Sequence, residues 1–431
     1  MAGISRFRGS AISSVLLSGL MAPMLPATAQ AEPHGFSKGF ENWRKALSAP
    51  HRRDPNGDIE IEGDVPGVVI AEGVNFVAEG LVAAGYDNNI DFRVEERDGG
   101  VYAKTDLGMA LIAKSENAET TAVVRGGYGR HGIDLRPDRY DIGALIDHYR
   151  IVAPNTSLNF GGFFLHDDID VDANQRAAGY TQLSYNRSDM EAFVRSRALH
   201  SHYLIEAGAG PISNRFFARD EAFDHLRLEQ SAGILFLKDQ RLSPFFETGY
   251  ANLDYTRELD PARFTRDGDE IWAIGGVRVT LDKTLYVDLG ARYNQRWLDD
   301  MALSSHDGVF FDGRIVYIPS DDLYVEFNID RTFLEPIVEE AFFTESTTYA
   351  LLVNTRLDGR ARLKLEVGHI TEEQIGAPDY FRHVYGEAQL SHDIGNRTEL
   401  FTSLIGYHTT NDASEDEVDR FEFMAGVRIR N

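Results

Sequence analysis

The chain has 431 residues, with 68 acidic against 43 basic, a net charge of −25 and no cysteine. That balance repels nucleic-acid phosphates, so a nucleic-acid partner is not expected, and the missing thiols exclude disulfides and thiolate metal sites. Mean hydropathy is −0.30, and no apolar run of about 18 residues occurs in the body of the chain, which argues against membrane-spanning helices.

Taken in chain order, Arg6 and Arg8 precede an apolar stretch from Ala11 to Leu25, and Ala29-Gln30-Ala31 follows. This pattern predicts a secretory signal peptide over residues 1–31, cut after Ala31. A secreted chain without cysteine points to the envelope of a Gram-negative bacterium. Residues 32–72 read as a periplasmic segment. Phe36, Phe40, Trp43 and Leu47 make an apolar stripe on a short helix. Pro50 stops it, and a polar linker follows. The stripe reads either as part of a plain tether or as a docking face for the barrel, a membrane surface or a partner protein.

From Gly73 to Asn431 the pattern changes to apolar–polar alternation with period two, the mark of half-buried strands. Leu285, Val287, Leu289 and Ala291 alternate with Tyr286, Asp288, Gly290 and Arg292. Leu323, Val325, Phe327 and Ile329 alternate with Tyr324, Glu326, Asn328 and Asp330. The last strand sets Phe421, Phe423, Val427 and Ile429 against Glu422, Arg428 and Arg430. About eighteen such strands are expected, sixteen being the alternative, most near the 9–11 residues that a tilted strand needs to cross a bilayer. Expected short turns include the sequences at 114–119, 153–155, 186–189, 281–284, 319–322 and 357–360. Long polar loops are expected between them, including 204–222 and 372–380. Short and long connections alternate, as in an all-β, closed antiparallel transmembrane barrel with tight periplasmic turns and long external loops. In lipid no backbone N–H or C=O can stay unpaired, so without helices only a closed sheet can cross. The apolar face then looks at lipid and the polar face at a wet lumen. Tyr128, Tyr149, Tyr185, Tyr255, Tyr293, Tyr317 and Tyr407 lie near strand ends, where an interfacial aromatic girdle would sit.

Catalytic motifs are missing from the sequence: there is no G-x-S-x-G, no H-E-x-x-H and no phosphate-cradling glycine loop, so no enzyme is expected. Ser304, Ser305, His306 and Asp307 bring hydrolase residue types together, but adjacent residues of a strand point to opposite faces. Asp168, Asp170 and Asp172 alternate like the start of a calcium loop. Ala173 and Gly179 replace the glycine and the glutamate that such a loop requires, so the trio is a weak metal candidate and no cofactor is expected. Acidic loops could still bridge through divalent cations to lipopolysaccharide. The informative set is the inferred lumen, with pore-lining candidates Arg278, Asp288, Arg292, Arg296, Arg314, Glu326, Asp330, Arg356, Arg362, Lys364, Glu366, Glu387 and Arg428. These charges either pair to stiffen the wall or set the selectivity of a pore.

The stretch Ala84 to Ile90 reads AGYDNNI, and residues 266–296 carry an Arg-Asp loop followed by two strands around a short Leu-Thr turn. Both resemble the putative β-barrel porin 2 family, over about Gly73 to Asn431. The resemblance implies an outer-membrane conduit for exopolysaccharide export beside a periplasmic export protein, and it implies no catalytic residues. The Phe36–Leu47 stripe and the terminal Asn431 depart from the pattern. Three functions follow as expectations: a passive polysaccharide conduit, a diffusion porin for small polar solutes with 204–222 as its inward loop, and a plugged structural or adhesive barrel.

Overall fold

The computed structural model describes residues 67–89, 99–132, 138–170, 184–200, 203–217, 225–236, 241–255, 266–281, 284–299, 305–320, 322–334, 341–413 and 416–431. Phe36, Phe40, Trp43, Leu47, Asp172 and the expected signal peptide lie outside them. The strands are β1 Val68–Ala71, β2 Val74–Asp87, β3 Gly100–Lys114, β4 Ala118–His131, β5 Arg139–Ala153 and β6 Thr156–Asp170. They continue as β7 Ser184–His200, β8 Tyr203–Phe217, β9 His225–Phe236, β10 Leu242–Tyr255, β11 Gly268–Leu281, β12 Leu285–Leu298 and β13 Ser305–Ser320. The last six are β14 Leu323–Leu334, β15 Phe343–Arg356, β16 Ala361–Ile375, β17 Tyr380–Asp393, β18 Thr398–Asn411 and β19 Asp416–Arg430.

Strands β2 to β19 pair in sequence order, each antiparallel to the next, and β19 returns to β2, which closes a ring of eighteen. Ring strands are 12 to 17 residues long. They therefore exceed the span that lipid requires and stand out of the bilayer at their ends. Burial alternates along them, as in β3, where Lys104, Asp106, Gly108, Ala110 and Ile112 are buried and Thr105, Leu107, Met109, Leu111 and Ala113 are exposed. Outward positions carry Val82, Leu107, Val309, Phe311 and Val367, all exposed and apolar. Inward positions carry the buried charges.

The expected strand number is correct, but two local errors cancel within it. Residues 186–189 are not a turn: they lie inside β7. Residues 204–222 are not a long loop: Tyr203–Phe217 is the wall strand β8. Polar turn-formers were misleading at 186–189, and Gly208, Gly210 and Pro211 were misleading in β8. The β8–β9 ladder shifts register between Ala209 and Ile212, and such an irregularity accommodates a proline that has no N–H to give. Residues 372–380 are also mostly strand, with only 376–379 left as a turn.

The girdle is partly reassigned. Tyr128, Tyr293 and Tyr317 are exposed and outward, joined by Tyr86, Tyr140, Tyr250 and Tyr349. Tyr149 and Tyr255 are buried on the inward face. Tyr407 also points inward, where the Arg420 guanidinium lies 5.9 Å from its ring.

Val68–Ala71 falls at the end of the expected periplasmic segment, yet it joins the sheet. β1 folds back on β2 and pairs Val68 with Phe76 and Val69 with Asn75. The turn needs Gly73 at φ +69, because a Cβ there would meet Lys114 O at 2.5 Å.

Candidate functional site: the lumen wall and two seams

Along the inward face, charges of opposite sign meet across neighbouring strands, directly opposite at Arg278–Asp288 and diagonally at most other pairs. Arg278 Nε donates to Asp288 Oδ1 at 2.7 Å across β11–β12. Arg292 Nε donates to Asp312 Oδ2 at 2.8 Å across β12–β13. Arg314 Nη2 donates to Glu326 Oε2 at 2.8 Å across β13–β14. Lys364 lies 3.0 Å from both Glu366 and Glu387. Arg296 and Arg227 converge on Glu270 at 2.7 and 3.4 Å. At the short-turn rim Arg428 and Arg362 share Glu399 at 2.6 and 2.5 Å, and Arg356 lies 3.6 Å from Asp322. Each basic pore-lining candidate thus faces inward with a carboxylate within salt-bridge range. Register explains this: positions such as Arg278 and Asp288 are directly opposite in the ladder, where unlike charges attract.

Asp168 and Asp170 stand at the end of β6. No cluster of three metal-ligating side chains occurs among the described residues. Ser305 and His306 occupy opposite faces of β13, so they form no nucleophile–base pair. His306 packs edge-on against Phe333 and Phe343, at 5.5 and 5.2 Å between ring centroids. Its Nε2 lies 3.3 Å from Glu345 Oε2.

The closing seam, β19 to β2, was not legible as a site from the sequence, although the YDNN stretch lies in it. Its regular rungs run from Glu422–Asp87 to Arg430–Glu79. Above them Asn88 N donates to Phe421 O at 3.0 Å, and Asn88 Oδ1 accepts from Phe421 N at 2.5 Å. Fully buried Asn89 donates from Nδ2 to Asp419 O at 2.8 Å. Arg420 Nη2 lies 2.6 Å from Asp87 and 3.2 Å from Glu422, and Tyr102 donates to Glu422. Gly85 makes room for the Tyr102 ring, which would sit 2.5 Å from an added Cβ. At the lower end Ala78 N donates to Asn431 Oδ1 at 2.8 Å, while Asn431 N donates to Ala78 O at 3.2 Å. The YDNN residues and Asn431 thus extend the seam beyond its ladder by acting as substitute peptide groups.

The β13–β14 seam differs. Pairing runs from Ser320–Leu323 up to Gly313–Ile329 and stops there. Both strands continue on their other sides, β13 with β12 up to Ser305 and β14 with β15 up to Leu334. Above that rung Phe333 and Phe343 of β14 and β15 pack against the inward-facing Arg296 and Phe310 of β12 and β13, so the two parts of the wall overlap there. The outer face of β14 to β19 carries a groove of about 760 Å³, floored by the facing Gly386 and Gly406 and walled by Phe327, Tyr349, Val367 and Phe421.

A closed, lipid-faced ring with charged inner rungs invites comparison with known barrels. Residues 227–431 match the model of the family described as Putative beta-barrel porin 2. The matched stretch holds the Arg-Asp loop motif, whereas the YDNN motif lies before it. Similar solved structures include the copper transporter OprC, with 9% identity over 86% of this chain and 82% of that chain at TM-score 0.47. The outer membrane protein opdK from Pseudomonas aeruginosa is 8% identical over 83% of this chain and 99% of that chain, at TM-score 0.45. The FrpB iron transporter from Neisseria meningitidis is 8% identical at TM-score 0.43, and the alignment covers 78% of this chain and 62% of that chain. No curated protein matches the sequence. The chain is a porin-like barrel of the Gram-negative outer membrane. The short turns therefore lie on the periplasmic side and the long loops outside.

Proposed function

We propose that this barrel is a passive conduit for exopolysaccharide leaving the cell. The observation that carries the reading is the mutual neutralisation of the inner wall. Cations at Arg278, Arg292, Arg314 and Lys364 each sit against a carboxylate of the next strand. A porin that selects small ions displays a charged block of one sign at its narrow point. A wall of paired charges presents hydrogen-bonding edges to a hydroxyl-rich chain and gives it no single place to be held. Asn328, Asn354, Tyr286 and Gln389 join that wall on inward positions. The segment 204–222, which the diffusion-porin reading needs as an inward loop, is largely occupied by the wall strand β8.

Deletion of the gene tests the reading directly. Surface polysaccharide should be lost while uptake of small solutes is unchanged; normal polysaccharide in the deletion strain would refute it. In planar bilayers the purified barrel should conduct with nearly equal preference for potassium and chloride. A strong preference for one ion would show that the wall charges are not neutralised in water.

A further inference from the structure

One part of the inner wall is apolar. Val77, Ala110, Val123, Leu145 and Phe163 face inward and are ladder partners in turn, so they form one straight row across β2 to β6. Ile112 joins it. Ala110 and Val123 are 1% and 2% exposed, whereas the outward Leu111 and Val124 beside them are 46% and 52% exposed. Among the described residues, every apolar side chain packed on the row comes from β2 to β6 themselves. A single sheet layer shields its side chains from the sides but not from above. In a wet lumen an apolar row gains nothing unless something covers it.

The chain that precedes β1 arrives at this row. Gly67, at φ +99, stands against Val77: an added Cβ would lie 2.8 Å from Val77 Cγ2 and 2.2 Å from Phe76 O. The free edge of β2 ends there, because Asn431 bonds at Ala78 and β19 pairs from Glu79 upward. A strand therefore cannot continue back from Gly67 along β2. The preceding stretch carries Asp54, Asp58, Glu60, Glu62 and Asp64, and carboxylates are costly in hydrocarbon.

We infer that the chain before Gly67 turns into the lumen and that the stripe of Phe36, Phe40, Trp43 and Leu47 docks on the row as a helix. The dimensions agree. A helix over residues 36–47 is about 18 Å long at about 1.5 Å per residue, and five neighbouring strands span about 19 Å. The linker 48–66, at about 3.3 Å per residue, reaches farther than either length requires. Charge agrees as well. On the periplasmic side of the row Glu119 is 3% exposed, and neither of its oxygens has a hydrogen-bond partner. Lys114 is its ladder partner, but Asp147 stands diagonally opposite and offsets that charge. Arg44 or Lys45, on the flank of the stripe, supplies the cation that a buried carboxylate needs. A helix seated there covers the β2–β6 side and leaves the charge-paired side open to a passing solute. The inference does not depend on the polysaccharide reading, since it concerns what the lumen holds rather than what crosses it.

The cysteine-free chain allows a direct test in proteoliposomes. Gly39→Cys places a thiol beside the stripe and leaves the stripe intact. It is combined in turn with Ala110→Cys and Val123→Cys on the row, and with Asn328→Cys on the opposite wall as the control. Heat-modifiable migration identifies the variants that have folded, and either row pair suffices. Under mild oxidation the intramolecular disulfide should form about tenfold faster with the row than with position 328, because docking raises the effective concentration of the thiol there. Phe40→Asp added to a row pair should remove that preference. Equal rates at row and control, a preference that survives Phe40→Asp, or disulfides formed only between two chains would each overturn the proposal.

Discussion

The two seams of this barrel contradict what chain proximity suggests. β19 and β2 lie at opposite ends of the ring, yet they are sealed beyond both ends of their ladder. β13 and β14 are joined by a short turn, yet they part after Gly313–Ile329. The difference lies in what faces across each seam. At the top of the closing seam Arg420 stands between two carboxylates and two asparagines bridge to the opposite backbone. At the β13–β14 seam Asp312 and Asp330 lie just above the last rung. At the closing seam side chains carry the contact beyond the ladder; at the other seam the rings of Phe310 and Phe333 meet where the ladder has stopped.

The contrast can be broken from either side, and the largest effect is expected at Arg420. Arg420→Ala leaves Asp87, 1% exposed, as a buried charge without its cation. Loss of one partner from a buried pair costs about 3–5 kcal/mol, so the folded, fast-migrating band should disappear at a much lower temperature. An unchanged transition would show that the closing seam depends on its ladder alone. A smaller loss, about 1 kcal/mol for each hydrogen bond removed, is expected for Asn431→Ala, read as a lower urea midpoint in detergent. Asp330→Asn acts in the opposite direction. Relieving a like-charge contact is worth roughly 0.2–1 kcal/mol, so the midpoint should rise. No gain would show that another cause parts the strands.

The smallest effect belongs to an ordinary turn away from both seams. Asp358 caps the β15–β16 turn, where its carboxylate accepts from the N–H groups of Arg360 and Ala361 at 2.7 Å each. Those hydrogen bonds lower its pKa below the usual carboxylate value. The stabilisation is therefore present above the unfolded pKa and is lost as pH falls through the folded one. Asp358→Ala should lower the neutral-pH midpoint slightly and leave the midpoint in acid unchanged, which flattens the acid-side loss of stability. A large shift at neutral pH would mean that the turn, like the seams, governs the wall.

Much of the wall was legible because lipid makes period-two alternation obligatory. The inward placement of Arg278, Asp288 and Glu326 follows from that alternation alone. Their pairing partners do not, since a partner is fixed by register, and register depends on turn length and bulges. The same limit hid the side-chain contacts at both seams. Nothing adjacent in the sequence brings Asp312 to Asp330, or Arg420 to Asp87. The stretch 184–217 was misread because polar residues and glycines signal turns only where water is the alternative. At the outer end of β7 and within the irregular β8 they are carried inside long strands.

The small β1 hairpin constrains how far the last strand can slide. β3 occupies one edge of β2, so β1 and β19 must share the other. β1 fills it as far as Phe76, and Asn431 bonds at Ala78 just beyond. Movement of β19 by one residue towards the periplasm would collide with β1, and it would also turn Phe421 and Phe423 to the lumen and Arg428 to lipid. Because β1 and β2 are neighbours in sequence, their hairpin can form before the ring closes. The stagger of the whole cylinder, and with it the diameter of the passage, is then set by a four-residue stop at its starting edge.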